Sequence, residues 1–196
     1  MTTETSPAQR LLNNLEASET FKKWKTEHQE SIASHFFMQI DANFNSMGQW
    51  DIGYFDTNSK KVSVFTLNDA GNFEIKATDD VFASNANKVE ELKLTAKTLD
   101  FPLIIPHSLK VIQQEYKNLE NFLGNGFVIL QTLEGQTVWN ISFITKQLTF
   151  LNLKMDAETG TKVASSNESA MLPNNPNTVS EDDISKLEDL EPKKEN

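Results

Sequence analysis

Trp50-x-Ile52-x-Tyr54-Phe55 is echoed 89 residues later by Trp139-x-Ile141-x-Phe143-Ile144. The chain has three Trp, and two of them sit in matched contexts. Similarity at a fixed offset constrains architecture strongly, because a unit that folds once can fold again beside its copy. Further anchors hold nearly the same offset. Phe21-x-x-Trp24-x-x-x-His28 precedes the first Trp, and Leu109-x-x-Ile112-x-x-x-Tyr116 precedes the second, 88 residues on. Each set has helical-stripe spacing. Downstream, Val62–Leu67 is answered by Leu148–Leu153 at an offset of 86. The turn Asn68-Asp69-Ala70-Gly71-Asn72 is answered by Asp156-Ala157-Glu158-Thr159-Gly160.

The fold class expected is α+β: two repeats, each a helix packed on an antiparallel β-meander, with a short N-terminal helix and a disordered C-terminal tail. The boundaries fall at 1–17 (extension with a short helix), 18–78 (first repeat), 79–99 (connector), 100–165 (second repeat) and 166–196 (tail). Trp50, Ile52, Tyr54, Trp139, Ile141 and Phe143 are the repeat anchors, each indole expected beneath its own helix.

Local signals set the elements. Ser6-Pro7 starts a helix as N-cap and first helical residue. The next helix carries the Phe21/Trp24/His28/Ile32 stripe. Strands are expected at Phe36–Asp41, Gln49–Phe55, Lys61–Leu67 and Phe73–Ala77, where alternation has a period of two. The second long helix opens at Ile105-Pro106-His107-Ser108 and ends near Gly124-Asn125-Gly126, where Gly suits a C-cap. Strands follow at Phe127–Thr132, Gln136–Ile144 and Gln147–Leu153, with Thr161–Ala164 as a short closing strand. Phe101–Ile105 reads as a strand-sized apolar run. Phe55, Phe65 and Leu67, with Ile144, Leu151 and Leu153, place apolar residues on the second sheet face, which then needs cover from the other repeat, the N-terminal helix or a partner.

Composition narrows the function. Cysteine is absent, which excludes disulfides and thiolate chemistry and fits a reducing compartment. Met1–Ser6 is polar, and no run reaches the 18 apolar residues of a membrane span, so a cytoplasmic protein without membrane contact is expected. The net charge is −10, and residues 165–196 hold eight acids and three Lys. No basic patch supports nucleic-acid binding. After Ser180-x-x-Asp183, which is similar to a capping box, Ile184, Leu187 and Leu190 form a candidate docking helix.

No residues assemble into a recognisable reaction centre. His28 and His35 are two helical turns apart but lack carboxylates at metal-motif spacing, and His28 reads as a packing residue. Asp41-x-Asn43-x-Asn45 resembles the start of a calcium loop, yet Ser46 and Ile52 stand where Gly and Glu are needed. Gly124-x-Gly126 lacks the third Gly and the preceding strand of a dinucleotide site. Asp79-Asp80 and Glu90-Glu91 read as solvated surface. No catalytic, cofactor-binding or metal residues are therefore expected, and no enzymatic activity.

Residues 88–165 resemble the PepSY and PepSY-like domains. The resemblance rests on a helix followed by Phe127-Val-Ile-Leu-Gln, Gly135-x-x-Val138-Trp139-Asn-Ile-Ser-Phe143, Leu148–Leu153 and the hairpin Asp156-Ala157-x-Thr159-Gly160. Residues 18–78 match through the repeat alone. The resemblance implies a helix ahead of an antiparallel meander and a role in binding or inhibiting other proteins, with no catalytic residues. No protease domain accompanies it in this chain, so inhibition in cis is not expected. The expected function is a non-catalytic protein-binding or regulatory module that meets a protein partner or a second copy. The alternative is a small-molecule or lipid carrier with an apolar pocket between the repeats.

Overall fold

The structure, a computed structural model, describes residues 5–80 and 89–169. Its helices are α1 (Pro7–Ala17), α2 (Glu19–Glu27) and α3 (Phe101–Glu115); a short 3-10 turn spans Leu119–Phe122. The strands are β1 (Ser31–Ile40), β2 (Asp51–Asp56), β3 (Lys61–Leu67), β4 (Phe73–Asp80), β5 (Leu123–Leu133), β6 (Gln136–Thr145), β7 (Thr149–Asp156) and β8 (Lys162–Ser169). All eight form one antiparallel sheet in the order β4-β3-β2-β1-β5-β6-β7-β8.

That continuous sheet corrects the expectation of two helix-on-meander repeats. The seam is a regular ladder in which His35 faces Gln131, Phe36 Leu130, Phe37 Ile129, Met38 Val128, Gln39 Phe127 and Ile40 Gly126. Its physical reason lies in β1 and β5, which carry apolar side chains on both faces. Left as edges they would expose unpaired backbone groups beside those residues; pairing them removes two edges at once. Trp50 also departs from expectation. It precedes β2, is half-buried, and packs against Phe36, Phe101 of α3 and Trp139 at ring separations of 6.2, 6.4 and 5.8 Å. Its neighbours therefore come from the seam and α3 rather than from α2. Trp139 lies within β6, fully buried against Phe101, and its Nε1 donates to Leu99 O at 3.2 Å.

The helices all serve one face. Leu12 and Leu15 of α1, Phe21 and Trp24 of α2, and Phe101, Ile104 and Ile112 of α3 join Ile52, Tyr54, Phe65, Ile141, Phe143, Leu151 and Leu153 in a single core. Phe65, Leu151 and Leu153 thus belong to the helix side, and not to the second face where parity counting put them. Each fully buried side chain of this size contributes about 1.5–3 kcal/mol. Tyr54 keeps its polar end satisfied, since its hydroxyl donates to Glu16 Oε1 at 2.8 Å.

Helix ends follow local chemistry. Ser6 and Ser18 cap α1 and α2 by accepting from Gln9 N and Phe21 N. α2 stops at Glu27, one turn short of the expected stripe, because His28 leaves helical geometry as the C-cap and Lys25 Nζ ties down Gln29 O and Ser31 O. Ile32 then falls in β1. α3 begins at Phe101, so the strand-sized run is its first turn: Asp100 caps it, and Pro102 sits where no N–H is needed. Gly124 and Gly126 are not a C-cap. They lie in β5, where a Cβ would meet Ile144 O at 2.5 Å and Ser142 O at 2.2 Å. The segment 89–94 forms neither strand nor helix; it is a strap, with Leu92 N donating to Ala33 O and Lys93 N to Thr132 Oγ1. β8 runs to Ser169, beyond the Ser165 limit of the expected tail.

Candidate functional site

With every helix on one face, no described helix or strand covers the other, although Phe55 and Val138 on that face are themselves buried. The register that buries Phe36, Met38 and Ile40 turns His35, Phe37 and Gln39 outward. Beside them stand Asp51 and Gly53 of β2, Phe127, Ile129 and Gln131 of β5, Asn140 and Ser142 of β6, Asn152 and Lys154 of β7, and Ala164 and Ser166 of β8. Phe37 and Phe127 stack across the seam at 5.8 Å.

The β1–β4 side of this face holds a polar cluster. Gly53 lies under the His35 imidazole, and a Cβ there would fall 2.2 Å from His35 Cε1. Ser34 Oγ donates to Gly53 O at 3.0 Å, which leaves it to accept from His35 Nδ1 at 2.9 Å. Burial lowers the His35 pKa; the Asp51 carboxylate opposes that shift without cancelling it. Asp51, itself buried, is paired with Lys76 Nζ at 2.8 Å. Sequence reasoning missed this group. Its one legible signal was glycine in a strand interior, which marks a close approach.

The β5–β8 side is a groove of about 460 Å³. Phe127 and Ile129 form its apolar wall, while Gln131, Asn140 and Asn152 supply amides. Ser142 Oγ donates to Asn152 Oδ1 at 2.7 Å. Lys154 also borders an adjoining groove of about 540 Å³ near Glu90 and Val163. At the far end of β6 and β7, Ile144, Leu148 and Phe150 are exposed. An amide floor beside aromatic and aliphatic walls can hydrogen-bond a polypeptide backbone while burying its side chains.

The other sequence candidates lie elsewhere. His28 stacks on Trp24 at 4.6 Å and bonds Asp56 Oδ2 at 3.0 Å, so it shares no helical face with His35 in β1. That partner, together with the Ser59 and Asn58 amides, holds the Asp56 carboxyl below its ordinary range. Asp41 spends its carboxylate on Asn43 N, Asn45 N and Asn45 Nδ2, closing a loop that tucks Phe44 against Phe143. No group of three or more metal-ligating residues occurs among the described residues. Ile52, Tyr54, Trp139, Ile141 and Phe143 are buried on the helix side, and Trp50 lies at its seam. Ile184, Leu187 and Leu190 lie outside the described residues.

The hairpin Asp156-Ala157-Glu158-Thr159-Gly160 has a residue-by-residue account. Asp156 Oδ1 accepts from Glu158 N, Thr159 N and Thr159 Oγ1. Ala157 is fully buried, its carbonyl accepting from Leu99 N. Gly160 has φ +69° and passes under the His107 ring.

No model of a known protein family matches the chain, and no curated protein matches it. Among solved structures, it is similar to a crystallised protein of Clostridium difficile 630, provisionally described as a lipoprotein. The identity is 11%, the match covers 85% of this chain and 98% of that one, and the TM-score is 0.46. No helix among the described residues is long and apolar enough to cross a membrane.

Proposed function

We propose that this chain is a non-catalytic, PepSY-like protein-binding module that captures a polypeptide on the open face of its sheet. The observation that carries this reading is the asymmetry of cover: three helices on one face and, among the described residues, no helix or strand on the other, where Phe37, Phe127 and Ile129 stand beside Asn140, Ser142 and Asn152. Apolar side chains interleaved with the Asn140 amide and the Asn152 amide donor suit a protein surface better than bulk water. The hairpin at Asp156–Gly160, following a Trp-bearing meander, supports the family reading.

The carrier alternative draws less support. The crevice by the paired indoles, lined by Pro7, Leu11, Phe36, Trp50 and Trp139, holds about 190 Å³. Small-molecule sites usually run to about 300–1,000 Å³.

The test compares retention of cytosolic proteins by the full chain, by Phe127→Asp and Asn152→Lys variants, and by a helix-side control, Lys23→Glu. A partner held by the parent and control but lost at least tenfold by both groove variants is the expected result. Retention indifferent to the groove, or none above background, overturns the reading. Sedimentation of the same proteins identifies a second copy as the partner.

A further inference from the structure

Lys154 is half-buried in the β5–β8 groove and makes no ion pair among the described residues, in a chain of net charge −10. An ammonium partly withdrawn from water, beside Phe127 and Ile129, is best matched by a carboxylate flanked by aliphatic side chains. This chain contains such a segment. Glu181-Asp182-Asp183-Ile184 and Leu187-Glu188-Asp189-Leu190 alternate acid with aliphatic residues, and lie beyond the described residues. The described chain ends at Ser169 on β8, whose Ala164 and Ser166 form the groove's rim. The 15 residues from Ser169 to Ile184 reach at most about 50 Å. The groove rim lies three to five strand residues back from Ser169, roughly 10–17 Å. A tether long enough for its span raises the effective concentration of its segment to the order of millimolar, so even a weak site is filled.

We propose that residues 181–191 dock in the β5–β8 groove, with an acidic side chain on Lys154 and Ile184, Leu187 or Leu190 against Phe127 and Ile129. This rests on the reading of the open face as a polypeptide-binding surface. It makes the chain's own C-terminal segment the occupant that an outside partner displaces.

The absence of cysteine makes the test clean, since one introduced thiol is the only labelling site. A nitroxide on Ser185→Cys in the full chain is read by broadening of backbone amide signals. The expected result is at least threefold stronger broadening at Gln131, Asn140, Asn152 and Lys154 than at Lys22 or Lys110 on the helix side. Lys154→Glu, and separately Leu187→Asp, removes most of that difference. Uniform broadening, or a pattern unmoved by both substitutions, overturns the docking. The reading of the face itself is tested separately by partner retention on the same labelled chain. Retention lost in Phe127→Asp without groove broadening leaves that reading standing while the tail proposal falls. Broadening abolished by Lys154→Glu with no partner retained shows a groove that serves the tail alone.

Discussion

At the residue scale, Gly53 and His35 are the most tightly coupled pair on the open face. Gly53→Ala forces the imidazole off its seat and away from Ser34, since the new Cβ would stand 2.2 Å from the ring. The expected cost is about 1–3 kcal/mol, as for other overpacked sites. Adding His35→Ala should return most of it, and chemical denaturation of the two singles and the double reads the coupling. His35 also sets a pH dependence. Burial lowers its folded-state pKa below the ordinary histidine value of 6.5, so the unfolded chain binds the proton more readily. The contribution is fully present above that value and is lost as pH falls through 6.5 toward the folded-state pKa. Between pH 7.5 and 5, His35→Gln should lose stability less steeply than the parent. Equal slopes would show that the imidazole titrates freely. Only the strand-interior glycine was legible in the sequence; its partner was not, because His35 and Gly53 are separated in the chain and meet only where the β1–β2 register places them opposite.

At the scale of elements, the strands were the most legible part. Alternating apolar residues and turn residues located β2, β3, β6 and β7 to within a few positions, because local chemistry dictates a half-buried strand. Helices were less legible. The stripe through His28 to Ile32 kept helical spacing by coincidence while Lys25 was tying off the chain, and Pro106 hid an α3 that had already started at Phe101. Gly124 and Gly126 looked like a helix stop and instead let β5 pass close to β6. Five described non-glycine residues have positive φ, Leu148 among them. Leu148 has φ +57° and is about half exposed, so its side chain gains little from the conformation it holds. Left-handed geometry costs a non-Gly residue roughly 1–2 kcal/mol. Leu148→Gly should therefore stabilise the protein by about 0.5–1 kcal/mol after glycine's own entropic cost. A thermal midpoint lower than the parent's would show that Leu148 contributes packing that outweighs the strain.

At the scale of the whole molecule, the question is what joins the two halves. The echo of Trp50 in Trp139 led to an expectation of two helix-covered meanders, and it could not show how such meanders meet. Edge strands carry no sequence mark that names their partner; β1 and β5 pair because each is apolar on both faces. That pairing turns two small faces into one broad one, aligns Phe37 with Phe127 across the seam, and leaves the open surface on which the proposed binding depends.

Native-state hydrogen exchange tests the seam directly. The amides of Phe36, Met38, Val128 and Leu130 should exchange only through global unfolding, with the same free energy as Ile52 in β2 and Ile141 in β6 and the same dependence on denaturant. Seam amides that exchange well ahead of β2 and β6, or halves that open at separate free energies, would contradict a single continuous sheet.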